Sequence, residues 1–167
     1  MRHIPRKTWR GSNHFSLDKQ AKLPASSTAS DARGYILVNR QRKHAVDVRE
    51  LHRFLSCVVP ELQLQNRPFS VVFIADDVMR AYNRQYRGLD KPTDVLSFRG
   101  DHAYLGDILI SSETAYNQSR KSRTLGFETN LRRLILHGLL HLMGYDHETD
   151  NGEMRTIERR LRRRFQC

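Results

Sequence analysis

Apolar residues are distributed unevenly along this chain: they become frequent only after residue 34 and then form short runs separated by polar turns. Four of these runs are rich in Val, Ile, Leu and Phe and have the length of a strand, which predicts β-strands. The predicted strands are YILVNR (35–40), FSVVFIAD (69–76), TDVLSF (93–98) and LGDILIS (105–111).

Segments with helical periodicity lie between and after the predicted strands. Short polar residues at their starts are predicted N-caps, since such side chains accept a hydrogen bond from a free backbone N–H of the first turn. The predicted helices run from the cap Asp47 to Val59 before Pro60, from the cap Asp76 to Tyr86 before Gly88, from the cap Ser112 to Lys121, from Thr124 to Gly144, and from Thr149 to Phe165. Interleaved strands and helices without an internal repeat predict one α+β domain over 35–167, with a small mixed sheet and packed helices.

One segment is less polar than the rest of the chain and carries three of its eight histidines: LRRLILHGLLHLMGYDH (131–147). His137 and His141 are four residues apart, so a helix presents them on the same face. The leucines around them leave almost no polar face, which predicts a buried helix, and Gly144 is predicted to end it. The turn that follows can return His147 to the pair. Three neutral imidazoles with a fourth position open are the ligand set of a catalytic zinc site.

A structural histidine cluster is the alternative to a metal site. Metal binding is favoured because an unpaired imidazole among leucines costs free energy. The spacing also matches the zinc-peptidase motif H-E-x-x-H-x-x-G-x-x-H in its three ligands and its glycine. The glutamate that serves those peptidases as general base is replaced by Gly138. The segment therefore predicts metal-assisted hydrolysis of something other than a peptide bond.

The chain carries a net charge of +11, and its pI is about 10.3. These values predict a polyanionic partner, above all a nucleic acid. An anionic membrane is the weaker alternative, because no amphipathic helix with a lipid-facing side and no apolar run of about 18 residues is visible. Part of the charge comes from six arginines of the last predicted helix, for which a solvated face is the alternative to an RNA-facing surface. They are Arg155, Arg159, Arg160, Arg162, Arg163 and Arg164.

Residues 1–34 carry seven Lys and Arg against two Asp, show no clear periodicity and include the linker-like PASSTAS (24–30). They are predicted to form a basic, flexible tail that adds non-specific RNA affinity. An organelle transit peptide and an over-long start assignment are the alternatives.

The two cysteines form no disulfide framework, which fits a reducing cytoplasm. Cys57 is predicted to be a small core residue and Cys167 a frayed chain end.

Three motifs in the same order, YRGLDKPTDVLSF (86–98), LGDILIS (105–111) and HGLLHLMGYDH (137–147), closely resemble those of the YbeY family of bacterial rRNA-maturation endoribonucleases. The resemblance runs from about residue 34 to the end. It implies an α+β fold, a basic groove beside the metal, and one Zn²⁺ per chain held by His137, His141 and His147. It also implies single-strand-specific cleavage in 3′-end maturation of small-subunit rRNA and in ribosome quality control. The implied location is the cytoplasm, and the implied partners are rRNA, ribosomal subunits and ribosome-associated proteins, with no membrane and no small-molecule cofactor.

The resemblance also implies roles for single residues. The family's functionally important arginine, in its NxxYR motif, falls on Arg87 of NRQYR (83–87). A bidentate contact of Arg87 with a phosphate oxygen would bind substrate and offset charge developing in the reaction; a solvated helix-end cation is the alternative. Lys91 is a second candidate phosphate contact, with plain surface charge as its alternative. The family commonly has proline after TDVLSF, whereas Arg99 follows here, so the rim of the site is expected to differ.

Three acidic residues are candidates for holding a ligand imidazole, because zinc-bound histidines usually donate their other N–H to an acceptor. Asp94 and Asp107 are two of them, and Asp94 has capping of the PTD turn as its alternative. Asp146 is the third, and shaping of the turn before His147 is the alternative for it.

Two other functions compete with a nuclease. The first is a non-catalytic RNA-binding factor of ribosome assembly with structural zinc, which three ligands and an open position disfavour. The second is a metallopeptidase, which the absence of glutamate at position 138 disfavours.

Overall fold

The computed structural model describes residues 34–64, 66–147 and 150–167. Four strands and five helices lie in these parts of the chain. In chain order they are β1 (Tyr35–Asn39), α1 (Val48–Glu61), β2 (Phe69–Ile74), α2 (Asp76–Arg87), β3 (Val95–Arg99), β4 (Gly106–Ser111), α3 (Ser112–Lys121), α4 (Phe127–Met143) and α5 (Glu153–Arg164).

The strands form one mixed sheet in the order β1-β2-β4-β3. β1, β2 and β4 are parallel, and β3 lies antiparallel to β4 at the edge. All six residues of β2 are buried, as expected for a parallel strand covered on both faces. The predicted α+β fold with a small mixed sheet is confirmed.

Helices cover both faces of the sheet. One face packs on α2 through Met79, against Val72, Leu96 and Leu109. The alternate residues of the same strands, among them Val71 and Ile108, face a larger cluster formed with α1, α3, α4 and α5. α4 is the centre of this second layer, with nine buried residues. The histidine-bearing helix is therefore fixed on the sheet face opposite α2.

Some helix ends agree with the sequence and others differ; α4, for example, begins at Phe127 rather than at Thr124. Gly88 and Gly144 end α2 and α4 in the left-handed conformation, as predicted. The carboxylate of Asp76 does not cap α2; it accepts hydrogen bonds from the hydroxyl groups of Ser111 and Thr114, so tertiary bonds replace the local one. The cap of α3 is Ser111 rather than Ser112. α1 continues through Pro60 to Glu61, since proline in a last turn removes little helical bonding.

The last helix begins later than predicted. Thr149 lies outside the described residues, and α5 starts at Glu153, where Asp150 accepts hydrogen bonds from the N–H groups of Gly152 and Met154. The apolar stripe of α5 packs as expected, with Met154 and Leu161 fully buried.

Both cysteine predictions are wrong. Cys57 is exposed, because it lies on the outer side of α1, whereas Cys167 is buried at the end of the chain. The predicted tail, apart from Gly34, lies outside the described residues. Among the described helices, none combines the length and the apolar character that crossing a bilayer requires.

Candidate metal centre

The packing of α4 on the sheet positions the histidine face. A Cβ at Gly138 would lie 2.8 Å from Cγ2 of Ile108 and 3.1 Å from Oγ of Ser97, so this side of α4 touches β3 and β4 directly. His137 and His141 therefore lie on the part of α4 that the sheet does not cover, and both are half-buried. Gly138 occupies the position that carries the general base in zinc peptidases. The side chains of Ile108 and Ser97 fill the space beside it, so a carboxylate side chain would not fit there.

The structure brings together the three histidines that the sequence singled out. Nε2 of His137 lies 3.1 Å from Nε2 of His141. One ring nitrogen from each of His137, His141 and His147 forms a set whose members all lie within 4.8 Å of one another. The turn after Gly144 closes this set, because the N–H groups of Gly144 and Tyr145 bond back to the carbonyls of the last turn of α4. Nitrogen atoms at this separation can ligate a single ion.

Two imidazoles have acceptors on their outer side. Nδ1 of His137 lies 3.3 Å from Oε1 of Glu158, and Nδ1 of His141 lies 3.0 Å from the carbonyl oxygen of Tyr145. An acceptor at Nδ1 favours the tautomer with the proton there, which leaves the Nε2 lone pairs free to bind a metal. Nδ1 of His147 is buried and has no hydrogen-bond partner within the described residues. A bound metal ion would satisfy this set, since imidazole is a common ligand of transition metals.

The electrostatics of the cluster favour the ligand form. Burial lowers the pKa of His141, and the neighbouring His137 and His147 lower it further. The hydrogen bond with the carbonyl of Tyr145 and the charge of Asp146 oppose these effects but do not outweigh them. His141 is therefore neutral near pH 7, as a metal ligand must be.

Glu158 is the residue of the site that the sequence analysis missed. Burial alone would raise the pKa of its carboxyl group, but the hydrogen bond with His137 and the charge of Arg162 outweigh burial and lower it. Nη2 of Arg162 lies 2.7 Å from the same carboxylate oxygen that faces His137. One sequence signal was available: Glu158 follows Met154 by four residues and precedes Leu161 by three, which places this acid on the packed face of α5.

The predicted phosphate-binding residues are Arg87, at the end of α2, and Lys91, in the loop before β3. Arg87 ends α2, and its neighbour Tyr86 packs edge-on against Phe98 of β3 with ring centroids 4.9 Å apart. Arg87 is thus at the outer edge of the sheet, and both it and Lys91 are exposed. Within the described chain, no hydrogen bond or ion pair joins Arg87 or Lys91 to the three imidazoles.

The acidic candidates have other partners. Asp94 accepts hydrogen bonds from the N–H of Val95 at 3.0 Å and from Nε2 of Gln118 at 2.8 Å, which fits the alternative of a turn cap. Asp107 accepts a hydrogen bond from the hydroxyl of Tyr104 at 2.6 Å. The acceptors that the structure gives to the imidazoles are instead Glu158 and the carbonyl of Tyr145.

Comparison with known proteins relates this site to a family. The family model described as Endoribonuclease YbeY matches residues 36–166. The Endoribonuclease YbeY of Geobacter sulfurreducens is 36% identical over 138 residues, covering 77% of this chain and 91% of that protein. The one from Aquifex aeolicus is 38% identical over 135 residues, with 77% and 87% covered.

A solved structure supports the same fold. The solution structure of TM1509 from Thermotoga maritima matches with a TM-score of 0.57 and 27% identity, over 75% of this chain and 85% of that one. The range matched by the family model covers most of the chain, and the three histidines and Glu158 lie within it. The chain therefore belongs to the endoribonuclease YbeY family.

Proposed function

We propose that this protein is a zinc-dependent endoribonuclease that cleaves single-stranded RNA. The proposed role is maturation of the 3′ end of small-subunit rRNA, together with ribosome quality control. The observation that carries the proposal is the set of three imidazole nitrogens within 4.8 Å of one another, in a chain of a family named for endoribonuclease activity. The net charge of +11 supports RNA as the substrate.

His137, His141 and His147 are the proposed zinc ligands. Zinc held by three imidazoles would act as a Lewis acid and lower the pKa of a coordinated water toward about 7. Glu158 and the carbonyl of Tyr145 would fix the orientation of two of the ligand rings through their Nδ1 atoms.

Arg87 is the proposed contact for a phosphate oxygen of the substrate, and Lys91 a second one. A guanidinium group binds phosphate in a bidentate manner and offsets negative charge that develops on it. Both side chains are exposed, Arg87 at the end of α2 and Lys91 in the loop before β3, and the RNA would pass from there to the histidines. Asp146 is proposed to shape the turn before His147, and Asp94 to cap the turn before β3.

The proposed partners are rRNA, ribosomal subunits and ribosome-associated proteins, and the proposed location is the cytoplasm. The alternative of an assembly factor with structural zinc is disfavoured because the cluster contains three described ligands, whereas structural zinc normally has four. A metallopeptidase is disfavoured because the sheet fills the space at Gly138.

The nuclease proposal is tested with the wild type and two variants that carry the same chemical change. His137→Ala removes a proposed ligand, whereas His102→Ala removes an exposed imidazole outside the cluster. All three proteins are purified identically, because a contaminating ribonuclease would otherwise imitate the activity. The substrate is a single-stranded RNA that spans the 3′ end of a small-subunit rRNA precursor. We expect cleavage by the wild type and by His102→Ala only, and equal cleavage by all three proteins would refute the proposal.

A further inference from the structure

A groove of about 570 Å³ lies between α4 and α5. Five arginines and one acidic residue line it: Arg133, Arg155, Arg159, Arg162, Arg163 and Glu158. Because Glu158 both lines the groove and lies 3.3 Å from Nδ1 of His137, the groove begins beside the histidine cluster. It is separate from Arg87 and Lys91, which lie at the β3 edge.

The groove has far more positive charge than its own acid can balance. The carboxylate of Glu158 is already engaged by His137 and Arg162. Among the described residues, none of the other four arginines of the groove forms an ion pair. Nε of Arg133 and Nε of Arg162 are buried and have no hydrogen-bond acceptor in the described chain. An anion in the groove would supply the acceptors that these guanidinium N–H groups lack in the described chain.

The arginines of α5 are arranged in a row along this groove. Arg155, Arg159 and Arg163 follow one another at intervals of four residues, so they lie on one side of the helix and span about 12 Å. Arg160 lies outside the groove, and Arg164 is paired with Glu61 at 2.9 Å. The unpaired cations are therefore concentrated on the groove side, over a length that accommodates more than one phosphate group.

We propose that this arginine groove binds the phosphate backbone of single-stranded RNA next to the bond that is cleaved. The inference rests on the proposed nuclease function, and it names a substrate-binding surface of the same site. Guanidinium groups bind phosphates in a bidentate manner, and backbone contacts carry no base information. The groove is thus a sequence-independent holding site on the α5 side, and Arg87 and Lys91 are not among its lining residues.

The test compares two double variants that remove the same charge. Arg155→Gln/Arg159→Gln changes the groove, and Arg53→Gln/Arg160→Gln changes two exposed arginines outside it. Both are made in a His141→Ala background, so that the RNA remains intact, and thermal unfolding checks that each protein is folded. Binding of a short fluorescent single-stranded RNA is measured by anisotropy over a range of salt concentrations.

The expected effect follows from counterion release. Each phosphate contact with a single strand contributes about 0.7 to the slope of log K against log salt, so loss of two contacts reduces the slope by about 1.4. At about 0.1 M salt the same loss corresponds to binding about 25-fold weaker. The control double variant is expected to keep the affinity and the slope of its parent. The proposal would be overturned if both double variants kept the RNA affinity and salt slope of their parent. It would also be overturned if both lost RNA affinity to the same extent.

A poly-glutamate peptide tests the other class of polyanion. If it binds the parent as tightly as RNA does and loses affinity in the groove variant, an acidic protein partner replaces RNA as the occupant. Cleavage by the same double variants with His141 intact separates this inference from the nuclease proposal. If the wild type does not cut RNA but RNA binding still depends on the groove arginines, the nuclease proposal is contradicted and the proposal of an RNA-binding groove is supported. If the wild type cuts RNA and the groove variant binds and cuts RNA like the control variant, only the proposal of an RNA-binding groove is contradicted.

Discussion

Replacing Glu158 is expected to weaken metal binding without removing a metal ligand. Loss of the outer hydrogen-bond partner of a ligand imidazole typically costs about 10- to 100-fold in metal affinity. The contact between Oε1 and Nδ1 of His137 is long, at 3.3 Å, and the carboxylate is half-buried and shared with Arg162. We therefore expect Glu158→Ala to bind zinc about 10- to 30-fold more weakly, at the lower end of that range. Glu158→Gln keeps an acceptor oxygen and should lose only part of this affinity.

The assay is competition for zinc against a chromophoric chelator at a fixed pH near neutrality. The matched control is Glu153→Ala, which removes a carboxylate from the first turn of the same helix, where it is exposed. The control should bind zinc like the wild type. If Glu158→Ala also binds zinc with wild-type affinity, Glu158 does not orient His137, and the outer contacts that the structure gives to the cluster have no energetic role.

Three further predictions concern stability and pH. Gly138→Ala should lower the free energy of unfolding by about 1–2 kcal/mol, measured by urea unfolding. The added methyl group would overpack against Ile108 of β4, which outweighs the gain in helix propensity. Unchanged stability would refute the close packing. Asp76→Ala should cost about 2–3 kcal/mol in the same assay, since two hydroxyl groups, of Ser111 and Thr114, lose a charged acceptor; a loss below 0.5 kcal/mol, the size of an ordinary surface change, would contradict this. The metal-free protein should lose stability as the pH falls below 6.5, because the pKa of His141 is lower in the folded state and the unfolded state binds the proton first. His141→Gln should reduce that pH dependence in thermal unfolding, and an unchanged slope would refute the assignment.

The sheet and the order of elements were predictable from local patterns. Runs such as that of β2 are uniformly apolar because both faces of the strand are covered, and this is visible in the sequence. Gly88 and Gly144 ended their helices as predicted because the left-handed conformation is a local property. The three histidines were predictable as a group, since helix spacing and one turn determine their positions.

Features that depend on packing between distant segments were not predictable. Glu158 is 21 residues from His137, and its contact exists only because α5 docks beside α4. Asp76 has the sequence context of a helix cap, but Ser111 at the end of β4 and Thr114 of α3 supply hydroxyl groups that compete for its carboxylate. Cys57 follows an apolar run, yet the helical period of α1 turns it outward. In each of these cases a tertiary contact or a helical phase outweighed the local pattern.

Dependence of RNA cleavage on the three-histidine site is measured most directly by stripping the protein of metal and adding zinc back while cleavage of single-stranded RNA is followed. We expect no cleavage by the stripped protein, and activity that rises with added zinc until about one ion is bound per chain, the stoichiometry of a single three-histidine site. His141→Ala should remain inactive throughout the titration. Full-rate cleavage by the metal-free protein, or by His141→Ala, would show that the three histidines do not carry the reaction.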